Sequence, residues 1–482
     1  MRKFARFGCL SGATAALAML FSAPVAMADE EIDFSKGLFI INEDWYGHNN
    51  STLNYLLPDA EGGDYWHYRV IEACNDNKQL GATAQAGEIW NGKFYIICKQ
   101  PKDPGASIAG GRINVADASS MKIEYQLADI DPDGGNVDGR SFLGVDEHKG
   151  YVSSSNGVWV LDLDSSEIIG KVSGTEEEGG SLYSGQSGSM VRAAGKVFVA
   201  HQKLGLLVVD PSEDKVADTI SFDLVKEGAG IGSVVVAKDG SLWCSVASST
   251  SGNGGTLPYL LRVDPETLAT EIVDVPSSVY APANSWYAWT PDGFCASAVN
   301  NSLYWNGGSS SWNSGSEIFK FDIDSRSFEK IIDLSEEGDG WSLYGCSMRV
   351  SPVSDELYMS LFQGYGSQAY KVRRYTADGM KLKDYPMIEN YWFPSLPVFA
   401  QSSSQSGVEA VGVESGLDVE VAVASGSIRV INGLGNTITV YTMSGAMVMN
   451  EAVASDDYFV SAELPAGIYV VKVGSASFKV RL

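Results

Sequence analysis

The chain has 482 residues, with 34 basic against 60 acidic side chains and a formal net charge of −26. Such acidity excludes the electrostatic footprint of a nucleic-acid binder or of a protein seated on an anionic membrane surface, since both need Lys and Arg. Past the N-terminus, no stretch approaches the roughly eighteen uninterrupted apolar residues of a membrane-spanning helix.

The first residues, "MRKFARFGCLSGATAALAMLFSAPVAMADEE", set Arg2, Lys3 and Arg6 before a short apolar run, with "AMA" preceding Asp29. This pattern predicts a secretory signal peptide over residues 1–28. Its removal takes three positive charges and no acidic one, moving the net charge from −26 to −29. Cys9 lies too early, and follows the wrong residues, for a lipoprotein signal. Five cysteines then remain: Cys74, Cys98, Cys244, Cys295 and Cys346. An odd, widely spaced set without Cys-x-x-Cys is neither a disulfide framework nor a zinc site. A Cys74–Cys98 bridge is the one pairing expected, and the other cysteines read as buried thiols.

Apolar runs ending in Asp and a turn recur along the chain. "RINVADASS", "VWVLDLDSS", "LLVVDPSED", "YLLRVDPET" and "IFKFDIDSR" end near Asp117, Asp162, Asp210, Asp264 and Asp322, at spacings of 45, 48, 54 and 58 residues. Weaker copies at Asp59 and Asp378 bring the number to seven. Each copy is preceded by a second strand, from "GLFIINED" through "GKFYIICKQ", "GYVSSSN", "GKVFVAHQ", "GSLWCSVA" and "GFCASAVN" to "ELYMSLFQ". Most of these begin at a turn signal such as Asn91-Gly92, Ala194-Gly195 or Asp292-Gly293. A third strand lies upstream of six copies, and a fourth follows the Asp turn, as in "KIEYQLADI". Four short antiparallel strands at this period describe a β-propeller blade, and helical periodicity is almost absent. The expected fold is all-β: a seven-bladed β-propeller over 29–400. "YWFPSLPVFA" near its end would supply the innermost strand missing from the first blade and close the ring. After the polar linker "QSSSQSG", within 401–412, alternating strands with Gly turns predict a small β-sandwich over 413–482.

In this topology the second-to-third strand connections and the links between blades share one face. The opening connection, "NEDWYGHNN", is too long and too aromatic for a plain hairpin loop. Trp45, Tyr46, His48, Tyr183, Trp286, Tyr287, Tyr304, Trp305, Trp312, Trp341 and Tyr365 should therefore gather on one rim as a ligand-binding surface. Against this stands the use of Trp as packing between blades.

Enzyme signatures fail: the chain holds no His-Glu-x-x-His, no Gly-x-Ser-x-Gly and no phosphate-binding Gly-x4-Gly-Lys. Of the four histidines, His67 and His148 map to a strand and a hairpin turn, so any histidine metal site would fall to His48 and His201. "DIDPDGGNVDGR" matches the start of a calcium loop through Asp129, Asp131 and Asp133. Its twelfth position is Arg140 rather than Glu, Pro132 interrupts it and no helices flank it, so a solvated acidic link is the alternative to calcium.

"GLFIINEDWYGHNNSTLNYL", the Asp-ended strands and "YWFPSLPVF" resemble the surface-propeller family of Bacteroidetes related to YncE-like seven-bladed proteins, over residues 37–400. "ITVYTMSGAMVM" and "LPAGIYVVKVG" resemble the sorting domain of the type IX secretion system. The resemblance implies a non-catalytic protein exposed at the cell surface, often found beside TonB-dependent transporters, and one related class captures cobalamin. The expected function is ligand capture for nutrient uptake, with a corrinoid first among ligands and no required cofactor. A protein- or glycan-binding adhesion module and a polysaccharide-active enzyme are the alternatives.

Overall fold

A computed structural model describes residues 32–176, 185–221, 229–248, 259–282, 286, 291–307, 315–364, 369–389, 393–400, 419–424, 427–442, 447–455, 457–461, 468–474 and 476–481. The expected signal peptide and linker lie outside these residues. Between Leu38 and Phe399 the described chain forms seven four-stranded antiparallel sheets, consistent with propeller-like blades. In six of them the strands pair in chain order, led by Ala82–Trp90, Gly139–Gly144, Ser187–Ala193, Ala229–Val236, Cys295–Ala296 and Ser342–Val350. The seventh sheet takes its leading strand, Pro394–Phe399, from far along the chain, and this strand pairs antiparallel with Leu38–Asn42. Each leading strand touches the next, and the order of contacts returns from Ser342–Val350 through Pro394–Phe399 to Ala82–Trp90.

The Asp repeat has a local physical cause. Asp117 accepts hydrogen bonds from the Ser119 and Ser120 amides, Asp162 from those of Asp164 and Ser165, and Asp264 from those of Glu266 and Thr267. Asp210 and Asp322 do the same for Ser212 and Ser325. A short side chain thereby satisfies turn amides that no strand partner reaches. These bonds favour the carboxylate and hold all five groups below the usual range. The fourth residue after each Asp (Met121, Ser166, Asp214, Leu268, Arg326) has a left-handed backbone that reverses the chain into the last strand. The two weaker copies differ. Asp59 pairs with Arg374 and Asp378 with Lys320, while Thr376 caps the last of these turns.

Burial on both faces of each sheet explains why the inner strands read as nearly continuous apolar runs. In strand Lys196–His201, Phe198 and Ala200 join a cluster with Leu242, Cys244 and Leu261, whereas Val197 and Val199 join Tyr151, Val158 and Val160 on the other side. Each Val, Leu or Phe among them contributes about 1.5–3 kcal/mol when fully buried. The helical content is small: Val70–Cys74 is one α-helical turn of five residues. Beyond Val419 the described residues form two further sheets, of three and four strands, sharing a core of Ile428, Val430, Ile438, Val440 and Val471.

Two expectations are corrected. All five described cysteines are free: Cys98 is buried beside Asn114, and Cys74 is half-buried elsewhere. In the sheet led by Cys295–Ala296, "GFCASAVN" is the leading strand rather than the second, and the second strand is Ser302–Gly307. Asp292, expected at a hairpin turn, is instead buried and accepts hydrogen bonds from Ser233 (2.7 Å) and Ser245 (2.5 Å).

Where Ala82–Trp90 ends, Arg192 stacks 4.1 Å over the Trp90 ring and Gly144 lies against its other atoms. A Cβ on Gly144 would sit 2.2 Å from the indole, so Gly144→Ala should cost about 1–3 kcal/mol by overpacking, read as a lower urea midpoint. In the same corner burial pushes Glu88 up to about 7, against the pull of Arg192 and a hydrogen bond from the Gly144 amide. The folded state therefore keeps a proton that the unfolded chain loses near 4.5, and the associated stability is present below that pH and lost as pH rises towards 7. Glu88→Gln should flatten this part of the urea-midpoint profile, with the largest gain over the parent above pH 7.

Candidate functional site

Antiparallel order puts the connection 43–51 and the connection 101–111 at the same end of two neighbouring sheets. In the first, the usual burial preference is inverted. Asp44 and Asn50 are buried, whereas Trp45 (44%) and Tyr46 (54%) are the most exposed aromatic side chains among the described residues. His48 is exposed beside them, its ring centroid 4.1 Å from that of Trp45. Ile108, 40% exposed, extends the apolar surface from the second connection.

The inversion follows from the backbone. Asp44 takes a left-handed conformation (φ 63°), and its carboxylate accepts from the Trp45 amide at 2.8 Å. Asp103 accepts from the amides of Gly47 (2.8 Å) and Gly105 (2.7 Å), and its own amide donates to Asn50. Asn50 in turn donates to the Ile108 carbonyl at 2.8 Å and to Gln79 at 2.9 Å. Gly105 lies so close that a Cβ there would meet the Gly47 carbonyl oxygen at 2.4 Å. Carboxylates thus serve the amides of a tight connection, and no buried position remains for the rings. The rings project from a frame that is already ordered.

Behind this loop the leading strands begin in a polar layer. Glu43 accepts from Gln85 at 2.6 Å, and burial raises its carboxyl despite Lys99, Gln85 and Tyr344. Arg140 is fully buried and donates to Gln186 at 2.6 and 3.0 Å, with Asp138 3.7 Å away. Lys99 is buried near both acids. The sequence reading missed this layer because its members are single polar residues scattered from 43 to 186.

The other expected rim residues divide. Trp305 and Tyr304 are wholly buried in strand Ser302–Gly307, where Trp305 packs on Phe319 and donates to the Tyr280 carbonyl at 2.7 Å. Trp286 is also buried, its indole donating to the Ile231 carbonyl. These three are packing residues, a correction to the expected rim. Trp341 is half-buried under the Lys371 ammonium, 3.9 Å from its ring. Tyr183, Tyr287, Trp312 and Tyr365 lie outside the described residues. Buried His201 bonds the amides of Lys203 and Leu204 through Nδ1, so it serves its own turn rather than pairing with exposed His48.

Asp129 pairs with Arg112 at 3.1 Å and Asp131 accepts from the Asp133 amide at 2.9 Å. Among the described residues, no three His, Cys, Asp or Glu side chains are grouped to hold a metal.

Asp103→Ala would leave the Gly47 and Gly105 amides without their charged acceptor. The expected loss is about 1.5–3 kcal/mol for bonds of this type, with faster amide exchange confined to 44–50 and 103–110. Uniform exchange across the chain would contradict the pinning role.

No curated protein sequence matches the chain. Among solved structures, PorZ, a surface component of the type-IX secretion system of Porphyromonas gingivalis, aligns at 12% identity and TM-score 0.45, covering 89% of this chain and 62% of that one. The extracellular domain of BT4673 from B. thetaiotaomicron aligns at 11% and 0.45, covering 93% and 58%. Apo AztD from Citrobacter koseri aligns at 15% and 0.39, covering 88% and 99%. The chain thus spans less than two thirds of the first two, and likenesses at these scores carry no functional argument. Family models match twice: a domain of unknown function (DUF6383) over 407–481, and a domain of unknown function (DUF5074) over 36–400. The second match takes in all seven sheets, and on it the chain belongs to the DUF5074 family.

Proposed function

We propose that this chain is a non-catalytic, surface-exposed binding protein: a seven-bladed propeller, closed by Pro394–Phe399, that captures a ligand for uptake by a TonB-dependent outer-membrane transporter. On this reading residues 1–28 direct export, and the sheets beyond Val419 are the sorting domain for type IX secretion. The supporting observation is the inverted connection, in which buried Asp44 and Asp103 fix the backbone while Trp45 and Tyr46 stand in solvent. Exposed rings on an ordered frame bind flat ligands at low entropic cost. A corrinoid, a large flat macrocycle, is the ligand that best suits this surface.

Titration of the mature protein with cyanocobalamin tests the reading through tryptophan fluorescence and calorimetric heat. Saturable binding is expected, weakened at least tenfold, or about 1.4 kcal/mol, in Trp45→Ala and in Tyr46→Ala. No heat at millimolar ligand would remove the corrinoid and turn the same patch towards a protein or glycan partner.

A further inference from the structure

The two connections that build the aromatic patch differ in charge from the rest of the chain. Overall, 60 acidic side chains outnumber 34 basic ones. Yet the exposed residues of 43–51 and 101–111, which are 45–49, 102, 104, 105 and 107–109, include no acid. The three acids of these connections are withdrawn: Asp44 and Asp103 are buried on loop amides, and Glu43 accepts from Gln85 at 2.6 Å. Among the exposed residues of these connections the one formal charge is Lys102.

The bonds that order the rings also hold Lys102 beside them. Its neighbour Asp103 accepts from the Gly47 amide at 2.8 Å, and the Asp103 amide donates to Asn50 at 2.7 Å. A Cβ on Gly105 would sit 2.8 Å from the His48 Cα, so the two backbones are in contact. The flexible four-carbon stem of Lys102 therefore starts one residue from the point where the connections touch. Asp103 is committed to the loop, with Oδ2 on the Gly47 amide and Oδ1 on that of Gly105. On the flank, Asp129 is paired with Arg112 at 3.1 Å.

We infer that the patch selects small ligands that join a flat apolar body to an oxyanion: a carboxylate, phosphate or sulfonate. The body stacks on Trp45 and Tyr46, Ile108 extends the apolar contact, and Lys102 takes the anion. The argument is charge complementarity. An anion is repelled by most of a surface whose net charge is −26. Salt screens that repulsion beyond about 10 Å at 0.1 M, so the charge within this radius governs binding. There Lys102 attracts, and neither connection exposes an acid to oppose it. The inference takes the patch as the binding surface and rests on that part of the proposed function, but not on the corrinoid.

Two dyes with one aromatic framework test this on the full mature chain: 1-anilinonaphthalene-8-sulfonate, and N-phenyl-1-naphthylamine, which lacks the sulfonate. Dye fluorescence at low salt should report saturable binding of both, weakened about tenfold in Trp45→Ala. Lys102→Gln should weaken the sulfonate dye about threefold relative to the uncharged one, and about 0.5 M NaCl should shrink that difference. Both substituted side chains are exposed, so the fold is not at stake. Equal effects of Lys102→Gln on the two dyes, or none on either, overturn the selectivity and leave the patch standing. Dye binding that Trp45→Ala does not weaken overturns the patch and the selectivity together. The dyes answer independently of cyanocobalamin, whose failure to bind would touch the corrinoid alone.

Discussion

Two-sided burial is the constraint on which the rest of this molecule depends. Each four-stranded sheet has a neighbour on both faces, so both parities of its inner strands are largely apolar, whereas outermost strands such as Lys215–Ile220 are exposed. Val197 to Ala200 obey this residue by residue, alternate side chains entering different clusters. Much of the polar chemistry then falls at the strand ends, where turns and connections supply amides that no ladder satisfies. At one end the demand is met by Asp side chains capping hairpins. At the other it is met by Asp44, Asp103 and Asn50 in longer connections.

This division accounts for the aromatic loop. A tight connection offers several amides pointing inwards, and a carboxylate can accept two of them where a ring can accept none. Acids therefore occupy the inside of 43–50, and Trp45 and Tyr46 are left outside. The same rule produces the layer of Glu43, Lys99, Asp138 and Arg140, where buried charges meet at the beginnings of the leading strands. Charge there is expensive, and the layer is ordered by side-chain bonds such as Arg140 to Gln186 rather than by backbone pairing.

The Asp repeat was legible because its cause is local: each carboxylate bonds amides two or three residues on. The strand order around it was legible too, except in the sheet led by Cys295–Ala296. There "SLYWNG" precedes a Gly- and Ser-rich stretch and reads as part of a connection, yet it is a buried strand. Trp305 is held by Phe319 and by the Tyr280 carbonyl, partners that composition does not announce. Trp286 failed for the same reason, its indole bonding a carbonyl 55 residues earlier. The Cys74–Cys98 pairing failed because nearness in sequence says nothing about which face of a sheet a thiol occupies.

What the sequence determined by itself was the all-β class, the period of the sheets, their turns and the presence of aromatics in the opening connection. These follow from alternation, turn chemistry and hydrogen bonds spanning a few residues. Tertiary structure alone decided which aromatics face solvent and which charged groups meet in the polar layer behind them. The reason is distance along the chain: the bond that orders the loop joins Gly47 to Asp103, 56 residues apart. The field at Lys99 likewise comes from residues as far apart as Glu43 and Cys346.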